Sequence, residues 1–363
     1  MDDADKSVAM LDRARALWRE DGRYDEALGL YRAILDAQPD DLRALQGMGA
    51  LLAELGRLDE AEAALRRTLA GAPSDAAARY TLGSVLLSMG RYAEGWSYHG
   101  ARFEIEALGN RLPPLAVPRW QSFHPANKTV LIVPEQGFGD QIQFARFGPG
   151  LGAAGARVGL LAKPPLMRLF RDSFPQASVV ALEGEVSFPE PDFYVMSGDL
   201  AGLAGITPET VPCAPYLTAP PPPPLPPGFR VGFMSRGNPA LTADHLRSLP
   251  GDVAERLRAA LPGTVVDLAP EVTGARDFAD TAALISGLDL VVTVDTAVAH
   301  LAGALGKRCL TLVRSFASDW RWPRLQPTTP WYPSMTLHWA SLEGDWSAAI
   351  DEVAALVQAE AAR

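Results

Sequence analysis

The residues best placed to do chemistry are a carboxylate, a histidine and a few arginines, each lying where an apolar run stops. The stretch LIVPEQGFGDQIQFARF, residues 131–147, passes from Leu131-Ile132-Val133 through a glycine-rich turn into a helical pattern. Such a turn usually cradles a phosphate on the helix N-terminus. Here Asp140 follows Gly139 directly and would repel one. The dinucleotide fingerprint fails twice: Ile142 stands where its third glycine belongs, and the next strand ends at Lys163 without the acid that holds a ribose. No P-loop GxxxxGK[ST] occurs either. Asp140, at the carboxyl end of a strand, reads as a general base facing a cleft. The competing role is a plain helix N-cap.

A second constellation is LVVTVDTAVAHLAGALG, residues 290–306. A valine-rich strand ends at Asp295, and Thr296 and Ala297 open an alanine-rich helix. The free N–H groups and positive dipole end of that helix suit a diphosphate. His300 falls four residues after Thr296 and three after Ala297, on the same helical face. The alternative is a capped helix with a packing histidine. In VGFMSRGNPALTADHLRSLP, residues 231–250, Arg236 and Asn238 are left at the end of another strand, and Arg247 precedes the next helix. An arginine fork matches a phosphate; solvated loop arginines are the alternative. Finally, SDWRWPRLQPTTPWYPSM, residues 318–335, gathers Trp320, Trp322, Trp331 and Tyr332 with Arg321. These aromatics suit stacking on a base or sugar, with Arg321 reaching an anionic donor; a self-packed loop is the alternative. No Cys/His spacing fits a metal site, and Asp295-Thr296 is not a DxD motif, so no metal is expected.

The elements that must position these residues fall into two kinds. GRYDEAL, GRLDEAE and GRYAEGW begin at Gly22, Gly56 and Gly90, a period of 34 residues shared by Ala27 and Ala61 and by Pro39 and Pro73. That is the tetratricopeptide (TPR) helix–turn–helix period: Gly ends the first helix of each pair, Ala lets the pair pack closely and Pro ends the second. Tyr24, Leu58 and Tyr92 are expected to wedge between helices. The C-terminal end of such a stack must be capped or docked. From about residue 127 the pattern becomes αβ. TVLIV, ARVGLLA and ASVVAL read as buried parallel strands, and the grammar restarts with FRVGFM, TVVDLA, LVVTVD and RCLTLV after the stiff spacer APPPPPLPPG at 219–228. Two αβ sets predict two Rossmann-like lobes facing a cleft. The expected division is TPR repeats at 1–110, a first lobe at 111–218, the linker at 219–228 and a second lobe at 229–363, whose last helix packs back across the lobes.

Composition bounds the function. The 363 residues are enough for several domains, and 48% hydrophobic with 21% charged residues suits real cores. A net charge of −10 argues against nucleic acid as a partner. Two distant cysteines make no disulfide framework. With no apolar run near the roughly 20 residues of a membrane helix and no signal-peptide pattern at the start, no transmembrane segment and a cytoplasmic location are expected.

Taken together, EGW, PRW, EQGFGDQIQFARF, GNP, DFADTAALI, VDTAVAHLAGALG and DWRW with TPWYPSM resemble bacterial TPR-fused glycosyltransferases similar to glycosyltransferase family 9, the ADP-heptose–lipopolysaccharide heptosyltransferases. The resemblance spans nearly the whole chain and keeps the motif order; more loosely it extends to the layout of the O-GlcNAc transferases. It implies a GT-B fold without an essential metal or cofactor, with the nucleotide-sugar donor mainly on the second lobe and the acceptor, protein or glycan, mainly on the first. It implies that Asp140 is the general base. Gln136, Gly137, Gly139 and Gln141 then lie on the acceptor side. It puts Asp295, Thr296, Ala299 and His300 at the donor phosphates; Ala297, Arg236, Asn238, Arg247, Trp320 and Arg321, singled out above, are expected on the donor side with them. The repeats imply protein–protein contact. One departure stands out: Leu241, Ala243 and His245 replace the His, Asn and Arg that relatives carry, while Arg247 and Ser248 remain. The alternative those changes motivate is a TPR adaptor with degenerate, inactive transferase lobes.

Overall fold

The computed structural model describes residues 3–121, 125–183, 188, 190–238 and 244–363. The chain divides into two compact units: Met1–Arg111 with Ser315–Arg324, and Leu112–Arg314 with Leu325–Arg363.

The first unit is three helix pairs: α1 (Asp3–Arg19) with α2 (Tyr24–Ala37), α3 (Leu42–Glu54) with α4 (Leu58–Gly71), and α5 (Ala76–Ser88) with α6 (Tyr92–His99). The 34-residue period has a backbone cause. Gly22, Gly56 and Gly90 turn each pair with φ of 65°, 71° and 78°, a left-handed conformation that costs other residues about 1–2 kcal/mol. Asp41 starts α3 by accepting the N–H groups of Arg43 and Ala44 at 3.0 Å, and Asp75 starts α5 through Ala78 at 2.9 Å. Ala27 and Ala61 are fully buried in the pair contacts. The third pair carries Gly95 there, where a Cβ would come within 2.8 Å of Leu87 Cγ.

The expected boundary at residue 229 misses one segment. Ser315–Arg324 belongs to the repeat unit, not to the second lobe. Phe316 stacks on Tyr24 at 4.5 Å, Ala317 N–H donates to Glu54 O at 2.8 Å, and Arg324 covers Gly56. Tyr24 therefore wedges against this segment. At the last helix, Trp320 packs edge-on to Trp96 at 5.2 Å and to His99 at 6.4 Å, so the end of the stack is covered by the chain's own residues.

The second unit holds two parallel sheets. The first lobe contains β1 (Thr129–Val133), α7 (Phe138–Ala145), α8 (Phe147–Ala153), β2 (Arg157–Ala162), α9 (Met167–Ser173), β3 (Ser178–Ala181), β4 (Phe193–Met196) and α10 (Leu200–Leu203), with strand order β3-β2-β1-β4. The second contains β5 (Arg230–Met234), α11 (Asp244–Arg247), α12 (Gly251–Ala260), β6 (Thr264–Asp267), α13 (Pro270–Thr273), α14 (Phe278–Ser286), β7 (Leu290–Val294), α15 (Ala297–Ala304), β8 (Cys309–Val313), β9 (Met335–Trp339) and α16 (Ser347–Ala361), ordered β6-β5-β7-β8-β9. All pairings are parallel. β1, β7 and β8 are buried at every position, which is why they read as unbroken apolar runs. Strand order reverses between β1 and β4 and between β5 and β7, so each sheet has a switch point where the following loops diverge and leave a crevice. Among the described residues, the last helix packs on α12, β8 and β9 of the second lobe. α16 buries Ile350, Val353 and Val357 in the core of the second lobe with Val292 and Leu312.

Among the described residues, no helix is long and apolar enough to cross a membrane.

Candidate functional site

Two loops leave the first switch point. The one after β1 carries Glu135, which is buried and accepts the N–H of Gly198, just past β4, at 2.9 Å. Gln136 follows in a left-handed conformation (φ 53°), and its carbonyl accepts Lys163 Nζ at 2.9 Å. This held turn brings α7 into line with Gly137 as its N-cap. Asp140 sits in the first turn, and its carboxylate accepts the N–H of Gly137 at 3.0 Å. The capping role is thus real, at the third residue of the helix, three positions after the N-cap Gly137. The half-buried carboxylate sits on the positive end of α7. Gln141 is buried, with Oε1 accepting the Lys163 N–H at 3.2 Å.

At the second switch point, the loop after β5 carries Arg236 and Asn238, both exposed. Arg236 pairs with Glu271, itself exposed. Arg247 ends α11, where Asp244 accepts its Nε at 2.9 Å; Ser248 accepts the Gly237 N–H at 2.9 Å and ties the loop back. His245 is exposed on α11, while Leu241 and Ala243 lie outside the described residues. The loop after β7 places half-buried Asp295 before Thr296, the N-cap of α15, whose hydroxyl accepts the Val298 N–H at 3.3 Å. Ala297 opens the helix and His300 lies one turn on, 7% exposed.

The two switch points meet. A Cβ on Gly139 would come within 2.6 Å of His300 Cδ2, so α7 of the first lobe lies directly on the His300 ring of the second. Phe138 packs on Phe278 with centroids 5.0 Å apart, and Arg168 on α9 grips the carboxylates of Asp277 and Asp280 at the start of α14. The Arg168 guanidinium holds the Asp277 carboxyl below its ordinary range. The Asp140 turn and the Thr296 helix start, about 150 residues apart in the chain, are thereby brought to one place.

Of the aromatic loop, Tyr332 reaches this place, its hydroxyl 2.9 Å from His300 Nδ1. Trp320 and Arg321, expected at the donor, are buried in the repeat unit, Trp320 on Trp96 and Arg321 paired with Asp319 at 2.9 Å. Trp322, Trp331 and Tyr332 are each at most 1% exposed, so no ring face is left for a base. This is the self-packed alternative. Trp320→Ala is expected to destabilise the chain by about 3 kcal/mol, as for other buried aromatics, with donor affinity unchanged. Denaturant unfolding beside donor titration checks this; unchanged stability with lost affinity would return Trp320 to the donor site.

One residue of the site region has no motif to mark it. Arg146, just past α7, is 4% exposed and donates to the carbonyls of Gln143 (2.8 Å), Pro212 (3.2 Å) and Trp331 (2.9 Å). Its guanidinium also lies within 5.1 Å of the Tyr216, Trp331 and Tyr332 ring centroids. The signal available in the sequence was a lone arginine inside QIQFARF, among residues otherwise fit for a core. Among the described residues, no group of three or more His, Cys, Asp and Glu side chains could hold a metal ion.

Comparison with known proteins finds two families along the chain. Residues 19–75 match the tetratricopeptide repeat family, and residues 249–343 match glycosyltransferase family 9 (heptosyltransferase). Protein FlbA of Caulobacter vibrioides is 28% identical over 313 residues, covering 72% of this chain and 51% of that protein. The chain thus spans about half the length of that curated relative. Among solved structures, the bacterial iron-containing dodecameric glycosyltransferase TibC from enterotoxigenic E. coli aligns with TM-score 0.41 at 12% identity, over 57% of this chain and 62% of that one. The family 9 glycosyl transferase from Veillonella parvula aligns with TM-score 0.40 at 11% identity, over 61% and 88%. A match to the tetratricopeptide repeats at residues 19–75 is thus followed along the chain by a match to glycosyltransferase family 9 (heptosyltransferase) at residues 249–343.

Proposed function

We propose that the protein is an inverting glycosyltransferase that moves a sugar from a nucleotide-sugar donor to an acceptor hydroxyl without an essential metal. The observation that carries this reading is the contact of Gly139 with His300, which sets a carboxylate turn beside a helix start across two switch points. Asp140 takes the proton of the acceptor hydroxyl as that oxygen attacks the anomeric carbon. The bond from that carbon to the donor phosphate breaks on the opposite face, and the phosphate leaves with the electron pair. Its charge is met by the N–H groups at Thr296 and Ala297 and by Arg236. Arg236 is available for this because its exposed pair with Glu271 is of the kind worth at most about 1 kcal/mol. Asn238, Arg247, Asp295 and His300 complete the donor side; Gln136, Gly137, Gly139 and Gln141 line the acceptor side. Trp320 and Arg321 are left out, since both are buried in the repeat unit. The repeats present the acceptor, a protein or a glycan, in a cytoplasmic setting.

Titration calorimetry against a panel of nucleotides and nucleotide sugars, with and without a chelator, tests this reading. Micromolar binding of one donor, unaffected by chelation, is expected. Binding of none would sink it in favour of an adaptor with inactive lobes, the reading motivated by Leu241, Ala243 and His245.

A further inference from the structure

Residues 212–225 run past the C-terminal ends of four helices and tie both lobes there. In the first lobe, Tyr216 donates its hydroxyl proton to Ile142 O of α7 at 2.9 Å. Arg146, just past α7, donates to Pro212 O at 3.2 Å, and the Thr218 N–H donates to Oγ of Ser173, the last residue of α9, at 2.9 Å. In the second lobe, the N–H groups of Tyr216 and Leu217 donate to O of Ala304, the last residue of α15, at 3.0 and 3.2 Å. Pro215 lies over Gly306, and Pro222 and Leu225 lie over Gly287 just past α14, where a Cβ would come within 2.8 Å of both. Arg146 also crosses directly to the second lobe, donating to Trp331 O at 2.9 Å.

The starts of these helices meet without the linker. Arg168, the second residue of α9, places Nε 2.9 Å and Nη2 2.6 Å from the two carboxylate oxygens of Asp277, the N-cap of α14. The same Nη2 also reaches Asp280. Phe138, which opens α7, packs on Phe278, which opens α14. The two sets of ties differ in what water can do to them. Arg146 and Trp331 are at most 4% exposed, so parting them strands polar groups in a dry interior. The Arg168 side chain is 40% exposed, and those of Asp277 and Asp280 are 21% and 24% exposed. There water and salt can stand in for each partner. The starts of α7, α9 and α14 are therefore free to part while the linker ends stay tied.

We infer that Arg168 with Asp277 and Asp280 is a salt-sensitive latch across the crevice, with Arg146 and residues 212–225 as its hinge. Closed, the latch holds Phe138 on Phe278 and keeps the Asp140 turn beside the Thr296 helix start. Released, it opens the mouth of the crevice between those two turns. The latch stands whether or not the crevice transfers a sugar, so it goes beyond that reading and does not depend on it.

The test is double electron–electron resonance between two spin labels on the full chain. One label sits at Glu183→Cys, exposed just past β3, and the other at Val272→Cys, exposed on α13. Cys213→Ser removes the half-buried native thiol, and Cys309 is fully buried and takes no label. In this parent at low ionic strength, one dominant short distance is expected. Arg168→Met is expected to raise the ratio of long to short distances about tenfold, the size of one lost charge-assisted hydrogen bond. Sodium chloride at about 1 M, where charges are screened beyond about 3 Å, is expected to raise the ratio about threefold in the parent and to leave Arg168→Met unchanged. The salt titration of the parent needs no further variant, so it decides even where Arg168→Met folds poorly. A distribution that Arg168→Met leaves as it was, or that salt shifts equally in both proteins, overturns the latch. A long distance already dominant in the parent at low salt overturns it as well.

Discussion

Asp140→Asn is expected to lower sugar transfer by about 10²–10⁴-fold, the range for loss of a general base, while the affinity for the nucleotide-sugar donor stays within about twofold. The substitution is clean on structural grounds. An asparagine Oδ1 still accepts the Gly137 N–H that now reaches the carboxylate at 3.0 Å, so the first turn of α7 keeps its closure. Gly139 keeps its place against His300, since nothing is added on that side. What the variant loses is the negative charge and the ability to hold a proton. Single-turnover transfer measured beside donor titration separates the two effects. Near wild-type turnover would falsify the base assignment and leave Asp140 as a capping residue alone. Weakened donor binding with normal turnover would instead place the carboxylate on the donor side of the cleft.

Arg146→Met is expected to destabilise the α/β unit by about 3 kcal/mol or more. Methionine roughly fills the volume but donates nothing. The carbonyls of Trp331 and Pro212, now satisfied at 2.9 and 3.2 Å, would be left dry, at about 1–3 kcal/mol each. The three aromatic rings around the guanidinium would lose their cation as well. For a unit of this size the midpoint of thermal unfolding should fall by about 10 °C. Differential scanning calorimetry of the full chain reads this directly. Arg146→Lys should recover little of it, because one ammonium cannot reproduce the planar fork that reaches carbonyls on both sides. A shift below about 2 °C for Arg146→Met would show that the carbonyls find other donors and that the guanidinium is not what holds Trp331 and Tyr332.

Local grammar made much of this legible. The helix pairs follow from Gly22, Gly56 and Gly90 because a left-handed turn has few tenants. The strand TVLIV is β1 to the residue, since a strand buried on both faces leaves no polar alternation to misread. Other elements escaped. β4, Phe193–Met196, and β9, Met335–Trp339, are short and lie in proline-rich surroundings, and only their pairing beside β1 and β8 makes them strands. The aromatic loop misled for a physical reason. Tryptophan has the same composition signal whether it stacks on a ligand or fills a core, and burial decides between them.

The amino-acid sequence by itself determined the repeats, the buried parallel strands and the two turns at which Asp140 and Thr296 begin their helices. Each of these depends on neighbours within a few residues, so spacing carries the information. Only the tertiary structure decided that the two turns meet. Strand order places β4 beside β1 and β7 beside β5, which opens the two crevices. Gly139 then lies on His300, and Arg146 reaches a carbonyl 185 residues away in the chain. The same long-range packing gave Ser315–Arg324, with Trp320 and Arg321, to the helical repeats. Contacts between residues so far apart leave no period or spacing in a single chain; they are set by which buried groups can satisfy one another once the sheets have formed.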